Sequence, residues 1–218
     1  MSLSVTNRLA RLDTCAISDS LDRLGVPGTA AGLVALTTVK RIVGQCITVQ
    51  LAPDDGNTRK RHLCTAAVEA GGPGHVIVVA HNGRLDVAGW GGLLSLGASL
   101  RGVEGTIIDG ACRDVDESRE LAFPLYARAG VPTTARGRIV ETAWNVPVNI
   151  RGIQVEPGDF VIADGSGVVF VRAASAEEVL KTAERIAERE RLMAADLCAG
   201  KPISDVMGTD YENMLTTY

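Results

Sequence analysis

The sequence lacks the paired cysteines and the long apolar runs of several protein classes. Its five cysteines are odd in number and widely spaced, with no Cys-x-x-Cys pair. This pattern disfavours a disulfide scaffold or a zinc ribbon and is typical of a reduced compartment. No stretch approaches the roughly 18 apolar residues of a membrane span, and the start MSLSVTNRLARLD has no apolar signal-peptide core. We therefore expect a cytoplasmic protein with no membrane partner.

Clusters of basic residues are also missing. The chain has 22 Lys and Arg against 26 Asp and Glu, a net charge of −4 and a sequence pI near 5.4, and its positive residues are scattered. We therefore do not expect nucleic acid as a partner. Repeats, low-complexity linkers and charge blocks are absent from the sequence, and 46% of the residues are hydrophobic. These features predict one compact domain over residues 1–218.

The pattern of apolar residues predicts an α/β fold. Helices are expected over about 14–24, 58–70, 93–100 and 175–199. Strands are expected over about 39–51, 76–80, 105–109, 123–127, 139–141, 146–150, 160–163 and 168–171. The strand-helix-strand order from 76 to 109 implies parallel strands joined by a right-handed crossover. We expect an α/β centre flanked by a β-rich layer.

Two predicted strands end in unusual residues, and ligands of α/β proteins bind beyond such ends. After the strand 76–80, the run Gly89-Trp90-Gly91-Gly92 opens a helix without large side chains in front of its free N–H groups. A helix N-terminus of this kind binds an anion such as a carboxylate. A tight crossover would bring Arg113, beyond the strand 105–109, beside it.

Arg113 and Asp114 have two readings. From spacing alone we favour a surface ion pair, which is the usual role of Arg-Asp neighbours at a strand end. In the other reading they form an active site for a 2-oxo acid. Arg113 would stabilise charge on the keto oxygen, and Asp114 would hold Mg²⁺ or Mn²⁺, which need only one or two protein carboxylates.

The last predicted helix carries an acid on its apolar stripe. Val179, Ala183, Ile186, Met193 and Leu197 form the stripe, and Glu190 fills the gap in it. Such a glutamate is paired, bound to a metal or at a partner interface, because isolated burial is costly. The alternative is a frayed helix end with a hydrated Glu190.

The remaining reactive side chains show weaker patterns. His62, His75 and His81 lack metal-site spacing, so we expect structural or surface roles, with His81 the best exception because it follows a strand end. Cys112 stands beside Arg113, which can lower a thiol pKa. It has no nearby histidine in the sequence, so a thiol nucleophile is disfavoured.

An ordered set of motifs resembles the RraA-like family, which includes the class II 4-hydroxy-4-methyl-2-oxoglutarate/4-carboxy-4-hydroxy-2-oxoadipate aldolases. Its centre is Gly92, twenty intervening residues, and Arg113-Asp114-x-x-Glu117. The supporting stretches are Trp90-Gly91, Ile108-Asp109-Gly110, Ser18 to Gly25, Val146-Pro147-Val148, Val155 to Asp159, Ala163 to Val168 and the final Glu- and Arg-rich helix. The likeness extends over most of the chain.

The resemblance implies an α-β-β-α sandwich that assembles as a trimer or a dimer of trimers, with active sites between subunits. It implies a metal-dependent pyruvate aldolase that also decarboxylates oxaloacetate. Arg113 would stabilise the pyruvate enolate, and Asp114 would hold Mg²⁺ or Mn²⁺. The Gly91-Gly92 turn and the amides of Leu93 and Leu94 would bind the substrate carboxylate.

The same resemblance gives supporting roles to three acids. Glu190 of a neighbouring subunit would complete the metal shell. Glu117 would orient Arg113 from one helical turn away, and Asp109 is a further motif member.

One departure from the family pattern concerns Gly92. Aldolase members commonly carry an acid there that helps to position or activate a catalytic water, so the proton-transfer group is unassigned, with His81 or a metal-bound hydroxide as substitutes. Two other functions stay open: decarboxylation of oxaloacetate or another carboxylic acid, and ribonuclease regulation as in the founding member. The regulator lacks the metal-holding aspartate, whereas this chain has Asp114, so we favour the enzyme.

Overall fold

The computed structural model describes residues 4–37, 40–56 and 62–208. The helices are α1 (Val5–Leu9), α2 (Thr14–Leu24), α3 (Thr65–Ala70), α4 (Gly92–Leu100), α5 (Val115–Glu120), α6 (Ala176–Cys198) and α7 (Ile203–Val206). The strands are β1 (Val34–Ala35), β2 (Ile42–Pro53), β3 (His75–Ala80), β4 (Gly105–Cys112), β5 (Leu125–Gly130), β6 (Ile139–Trp144), β7 (Val148–Ile150), β8 (Ile153–Val155), β9 (Phe160–Asp164) and β10 (Gly167–Val171).

Eight strands form one mixed sheet in the order β1-β5-β4-β3-β2-β9-β10, with β6 paired to β2. The central strands β2 to β5 are parallel, and the pairs β1-β5, β2-β9, β9-β10 and β2-β6 are antiparallel. An isolated antiparallel bridge between Thr29, close before β1, and Val169 of β10 brings the two ends of the sheet near each other. The sheet therefore curls until it is nearly closed.

The curled sheet has one inner and two outer apolar faces. Alternate strand residues such as Val76, Val78 and Val161 point inward to one cluster, which the β7-β8 hairpin also joins. On one outer side, α3 and α4 pack against residues such as Ile77. On the other, α1, α2 and α6 pack against β9 and β10. These four layers confirm the predicted α-β-β-α sandwich.

The sequence located most of these elements correctly. α2, β3, α4, β9, β10 and α6 begin and end within about two residues of their predicted bounds. The predicted helix over 58–70 is shorter among the described residues, because α3 begins at Thr65, and residues 58–61 lie outside them. The predicted strand start at Val39 also lies outside the described residues. β4 runs three residues further than expected, to Cys112.

Among the described residues, no helix combines the length and the apolar character that crossing a membrane requires.

Candidate functional site

A cavity of about 340 Å³ lies at the carboxyl ends of β3 and β4. Two chain segments form much of its wall: Trp90 to Leu94, and the group Arg113, Asp114 and Glu117. The loop after β3 returns to run beside the end of β4. Ala88 bridges Ala111 in parallel, and the Arg113 N–H donates to the Trp90 carbonyl at 3.0 Å. This return brings together the two motifs that the sequence placed at neighbouring strand ends.

Asp114 is the hinge between the two segments. It has a left-handed backbone, with φ 56° and ψ 41°, which aspartate tolerates better than most residues. Its Oδ2 accepts from the Gly92 N–H at 2.9 Å and from the Arg113 Nε at 3.1 Å. A side chain at Gly91 would crowd this oxygen, since an added Cβ would lie 2.8 Å from it. The glycine turn therefore allows the carboxylate to approach the start of α4.

Arg113 is half-exposed on the cavity wall. Only its Nε is engaged, so its two terminal nitrogens have no acceptor among the residues that the structure describes. An ion pair with 39% and 27% of its side chains exposed contributes little stability, typically below about 1 kcal/mol. The pair predicted from spacing does exist. It leaves the guanidinium fork available to a ligand, however, so the two readings of the sequence are compatible.

The N-terminus of α4 has fewer available amides than expected. The Gly92 N–H donates to Asp114, and the Leu94 N–H donates to the Gly91 carbonyl at 3.1 Å. Within the described chain, the Leu93 N–H has no acceptor. Leu93 is therefore the better candidate of the two amides predicted to bind a carboxylate, and Leu94 would have to share its proton.

Glu117 lies over the bare α-carbon of Gly92. A Cβ built on Gly92 would overlap the Glu117 Oε2, so this carboxylate occupies the space where a side chain at position 92 would begin. No ion pair joins Arg113 to Glu117 within the described ranges, and the partner of Arg113 is Asp114. The contacts therefore give no support to the predicted role of Glu117 in orienting Arg113.

Asp109 lies outside the cavity wall. It is buried, and its Oδ1 accepts from the Arg128 Nε at 2.7 Å, while its Oδ2 accepts from the Arg151 N–H at 3.2 Å. The Asp109 carbonyl also accepts from the Gly83 N–H. The Gly83 contact fixes the loop after β3, and the other two join β4 to β5 and to the β7-β8 turn. The supporting role of Asp109 in the site stays a prediction.

Glu190 lies on α6, in the opposite helical layer from α4 and α5. Its pKa is raised by partial burial and by the nearby charges of Asp13 and Asp19. Within one subunit it therefore has acidic neighbours and is not part of the Asp114 cavity. The predicted role was for Glu190 of a neighbouring subunit, and it stays a prediction.

Of the other reactive side chains, only His62 lies in the cavity wall among the described residues, and the rest are poor candidates for a role in the site. Burial lowers the pKa of His81, whose Nε2 contacts the Val87 carbonyl at 2.8 Å. Burial raises the pKa of Cys112 to about 12, which disfavours a thiolate. The histidine in the cavity wall is His62, together with Arg136. The sequence predicted a structural or surface role for His62 and gave no prediction for Arg136, because both come from loops far from the central motif.

The donor set limits which metal could bind. Among the described residues, no three His, Cys, Asp or Glu side chains are grouped to hold an ion. Structural zinc needs about four such ligands, whereas Mg²⁺ commonly keeps several waters and takes one or two carboxylates. Asp114 fits the second pattern, and its Oδ1 has no partner in the part of the chain that the structure describes.

The comparisons with known proteins agree with this geometry. The family model RraA-like, described as Aldolase/RraA, matches residues 14–170. A protein of Halalkalibacterium halodurans with the provisional name 4-hydroxy-4-methyl-2-oxoglutarate aldolase is 32% identical over 174 residues, which cover 80% of this chain and 79% of that protein.

Two solved structures have the same fold. An uncharacterized protein from Pseudomonas syringae pv. tomato matches with a TM-score of 0.85 and 32% identity, covering 95% of this chain and 98% of the other. Streptomyces coelicolor RraAS2, described as an unusual member of the RNase ES inhibitor RraA protein family, matches with a TM-score of 0.77 and 26% identity, covering 88% of this chain and 96% of the other.

Fold and site thus define an α/β protein with a cavity at the carboxyl ends of parallel strands, lined in part by Arg113, Asp114 and Glu117. The family match covers well over half of the chain. The chain belongs to the RraA-like family.

Proposed function

We propose that this protein is a divalent-metal-dependent pyruvate aldolase that cleaves a 4-hydroxy-2-oxo acid such as 4-hydroxy-4-methyl-2-oxoglutarate. The observation that carries the proposal is the joint placement of four groups in one cavity. These are the free fork of Arg113, the carboxylate of Asp114, the start of α4 at Leu93 and the Glu117 carboxylate. The provisional aldolase name of the H. halodurans relative supports the same reaction class.

The substrate's 2-oxo acid end would bind between α4 and Arg113. Its carboxylate would accept from the Leu93 N–H, where the positive end of the helix dipole favours an anion. The keto oxygen would accept from the terminal nitrogens of Arg113, which have no acceptor among the described residues. Negative charge builds up on that oxygen during the reaction, so Arg113 would stabilise the transition state more than the ground state.

Glu117 is our candidate for proton transfer. In the forward step a base takes the proton of the C4 hydroxyl, and the C3–C4 bond breaks. C4 becomes a carbonyl, and the electron pair forms the pyruvate enolate, which is then protonated at C3. The Glu117 carboxylate lies in the cavity wall over Gly92, close to the position of the acid that the family pattern leads one to expect at residue 92. It can therefore substitute for that acid.

Asp114 would hold Mg²⁺ or Mn²⁺ with water and the substrate as the remaining ligands. When bound, the ion supplies Lewis acidity that favours enolate formation. Asp114 itself orients the site in a second way, because its Oδ2 fixes the Gly92 amide and the Arg113 Nε.

Exposed apolar residues support an assembly of several copies. One patch is on α4, where Leu93 and Leu100 are 86% and 79% exposed. The other is on the second half of α6 and on α7, with Leu192 and Ile203 at 53% and 63%. The patches belong to opposite layers, so a contact between them is head-to-tail, the type of contact that forms a ring when its rotation closes. Such a trimer, or a dimer of trimers, would bring α6 and Glu190 of one copy towards the cavity of the next.

Two other functions have support: oxaloacetate decarboxylation would use the same site, and ribonuclease regulation would take the place of catalysis. Oxaloacetate decarboxylation passes through the same pyruvate enolate, with carbon dioxide as the leaving group, so we expect it as a second activity. Ribonuclease regulation is the alternative, and the similarity to RraAS2, described as a member of the RNase ES inhibitor RraA protein family, supports it. We favour the enzyme because Asp114 is present and is built into the cavity. The proposed location of the protein is the cytoplasm. All five cysteines are free, which is typical of a reduced compartment.

The test is pyruvate release from 4-hydroxy-4-methyl-2-oxoglutarate and from oxaloacetate, each with Mg²⁺, with Mn²⁺ and with EDTA. We expect release from both substrates that either metal supports and EDTA abolishes. Turnover that EDTA leaves unchanged would overturn the metal dependence. No release from either substrate would favour the regulator, and binding to a ribonuclease would then be measured directly.

A further inference from the structure

Beneath the cavity, three side chains form a hydrogen-bonded chain that ends on Asp114. The Trp90 Nε1 donates to the Ser95 Oγ at 2.9 Å, and the two hydroxyl oxygens of Ser95 and Ser118 are 2.8 Å apart. The Ser118 hydroxyl donates to the Asp114 carbonyl at 3.1 Å. All three side chains are buried. The chain therefore connects the loop before α4, α4 itself and α5 to the residue at the hinge of the site.

The direction of this chain follows from its two ends. An indole N–H can only donate, and a backbone carbonyl can only accept. Ser95 therefore accepts from Trp90 and donates to Ser118, which in turn donates to Asp114. Each hydroxyl gives and receives one hydrogen bond, so the two serine hydroxyls and the Trp90 indole N–H are all paired in this hydrogen-bonded series. Removing any member leaves a buried partner unsatisfied.

We propose that Ser95 and Ser118 are positioning residues that fix the backbone of Asp114, and through it the Asp114 carboxylate. Asp114 has a left-handed backbone, and its carbonyl accepts from both the N–H and the hydroxyl of Ser118. Its Oδ2 meanwhile accepts from the Gly92 N–H, two residues after Trp90. Ser118 thus fixes the backbone of Asp114, and the Gly92 N–H fixes its side chain.

Because of this arrangement, the two serines should affect the position of Asp114 to different extents. Ser118 contacts Asp114 directly, Ser95 acts through Ser118, and Trp90 acts through both. Substitution should therefore disturb Asp114 most at Ser118, less at Ser95 and least at Trp90. The inference that the carboxylate being positioned holds a metal rests on the proposed function, whereas the hold on Asp114 itself does not.

The experiment uses two measurements on the full-length protein without substrate. The first is Mn²⁺ affinity, from the electron paramagnetic resonance signal of the free ion. The second is hydrogen exchange of the Gly92 amide in a metal-free, glycine-labelled sample, because that amide donates to Asp114. The variants are Ser118→Ala, Ser95→Ala and Trp90→Phe, with Ser118→Thr as the conservative change that retains the hydroxyl.

Ser20→Ala is the matched control. Ser20 is as buried as the two serines, and its hydroxyl donates to the Val179 carbonyl at 2.8 Å in the opposite layer. It therefore loses the same kind of hydrogen bond at a place remote from Asp114. Its thermal unfolding temperature should fall as in the other variants, while Mn²⁺ affinity and Gly92 exchange stay at the wild-type values.

For Ser118→Ala we expect Mn²⁺ binding weaker by about 10–100-fold, the range for groups that orient metal ligands, together with faster Gly92 exchange. Ser95→Ala should give a smaller change in both measurements, and Trp90→Phe the smallest. Ser118→Thr, which retains the hydroxyl, should show little of the loss seen in Ser118→Ala. If Ser118→Ala does not fold, Ser95→Ala carries the same test.

Three outcomes decide between the inferences. Wild-type values of Gly92 exchange in folded Ser118→Ala and Ser95→Ala would overturn the positioning role. Changes equal to those of Ser20→Ala would overturn it as well, because they would reflect stability alone. A wild-type protein that binds no Mn²⁺ would overturn the metal-dependent function, while selective faster Gly92 exchange in Ser118→Ala would still support the hold on Asp114.

Discussion

The two helical layers cover the same curled sheet, yet most of their helices begin differently. In the layer of α1, α2 and α6, the Ser4 and Asp13 side chains cap the first two helices by accepting from backbone N–H groups, while α6 begins at Ser175 without such a bond. In the other layer, α3, α4 and α5 begin at Cys64, Gly91 and Asp114, and none of these has a side-chain cap. An N-cap bond is typically worth about 1 kcal/mol. Among the described residues, the start of α4 therefore leaves the Leu93 N–H free to meet a ligand, at a cost in stability.

Further contacts sharpen this contrast. Arg8 of α1 contacts Glu177 and Glu184 of α6 at 2.6 and 2.7 Å, so the first layer uses its arginine within the chain. Arg113 retains two nitrogens without an acceptor among the described residues. Variants at Arg113 and at Arg8 should therefore differ, with the first losing activity and the second losing stability.

The largest expected effect is at Asp114. Asp114→Asn retains the shape and the tolerance for a left-handed backbone but removes the charge that would hold the ion. We expect aldolase turnover and its response to Mg²⁺ to disappear together, measured as pyruvate release. Asp116→Asn, at an exposed position on α5, is the control and should retain both. Metal-stimulated turnover in Asp114→Asn would show that the metal is bound elsewhere.

Arg113→Ala should follow, with turnover reduced by about 10²–10³, the range for removing one preorganised oxyanion donor. Its unfolding temperature should change little, because the ion pair with Asp114 is half-exposed. Arg8→Ala should show the reverse, with full turnover and a free energy of unfolding lower by up to about 1 kcal/mol. Full turnover in Arg113→Ala would remove it from the catalytic role.

Glu117 offers a test by relocation. Glu117→Ala should reduce turnover by about 10²-fold, the lower end for general acid–base catalysis. Adding Gly92→Asp to that variant should restore part of the loss, because the two positions share one space. Gly92→Ala with Glu117→Ala is the control for bulk alone. If the aspartate variant is no more active than this control, a carboxylate in that space is not the proton-transfer group.

The smallest effect on stability is expected for Glu190→Gln. Partial burial and the charges of Asp13 and Asp19 raise the pKa of Glu190, so its ionised form is disfavoured in the folded chain. Because the pKa of Glu190 is higher in the folded state than in the unfolded state, its ionisation destabilises the fold increasingly as the pH rises through that raised pKa. Glu190→Gln should therefore raise the free energy of unfolding slightly at neutral pH, by less than about 1 kcal/mol. Stability is measured by urea unfolding at pH 4 and pH 7, and assembly by sedimentation. Normal turnover in an intact trimer would exclude Glu190 from the metal shell.

Much of this organisation could be predicted from the sequence. The glycines at 91 and 92, the Arg113-Asp114 pair and the order of strands around them are local features, and they led to the cavity at the ends of β3 and β4. The first half of the predicted stripe, Val179, Ala183 and Ile186, is buried, because a long amphipathic helix reveals its buried face through its period. In its second half, Met193 is half-buried and Leu197 is exposed, so that part of the prediction is wrong for the single subunit.

Other features could not be predicted from local patterns. α5 was missed as an element because its six residues are mostly polar and its cap is a left-handed aspartate without a side-chain bond. Ser95 and Ser118 carry no sequence signal, since a buried hydroxyl is recognised only by its partners. The overlap of Glu117 with Gly92 depends on how two helices approach each other, and pairing across such a distance is a tertiary property.

The return of the chain beside β4 bears on how this protein folds. From Trp90 the backbone forms α4 and β4 and returns to Trp90 at Arg113, within about twenty-five residues, so closing this loop costs little entropy. By contrast, the other edge of β2 pairs with β6 and β9, which follow it by about ninety residues or more. Because near contacts form faster than distant ones, we expect the reactive half of the sheet to fold first. Ligand-binding geometry would then exist before the second half of the fold is complete.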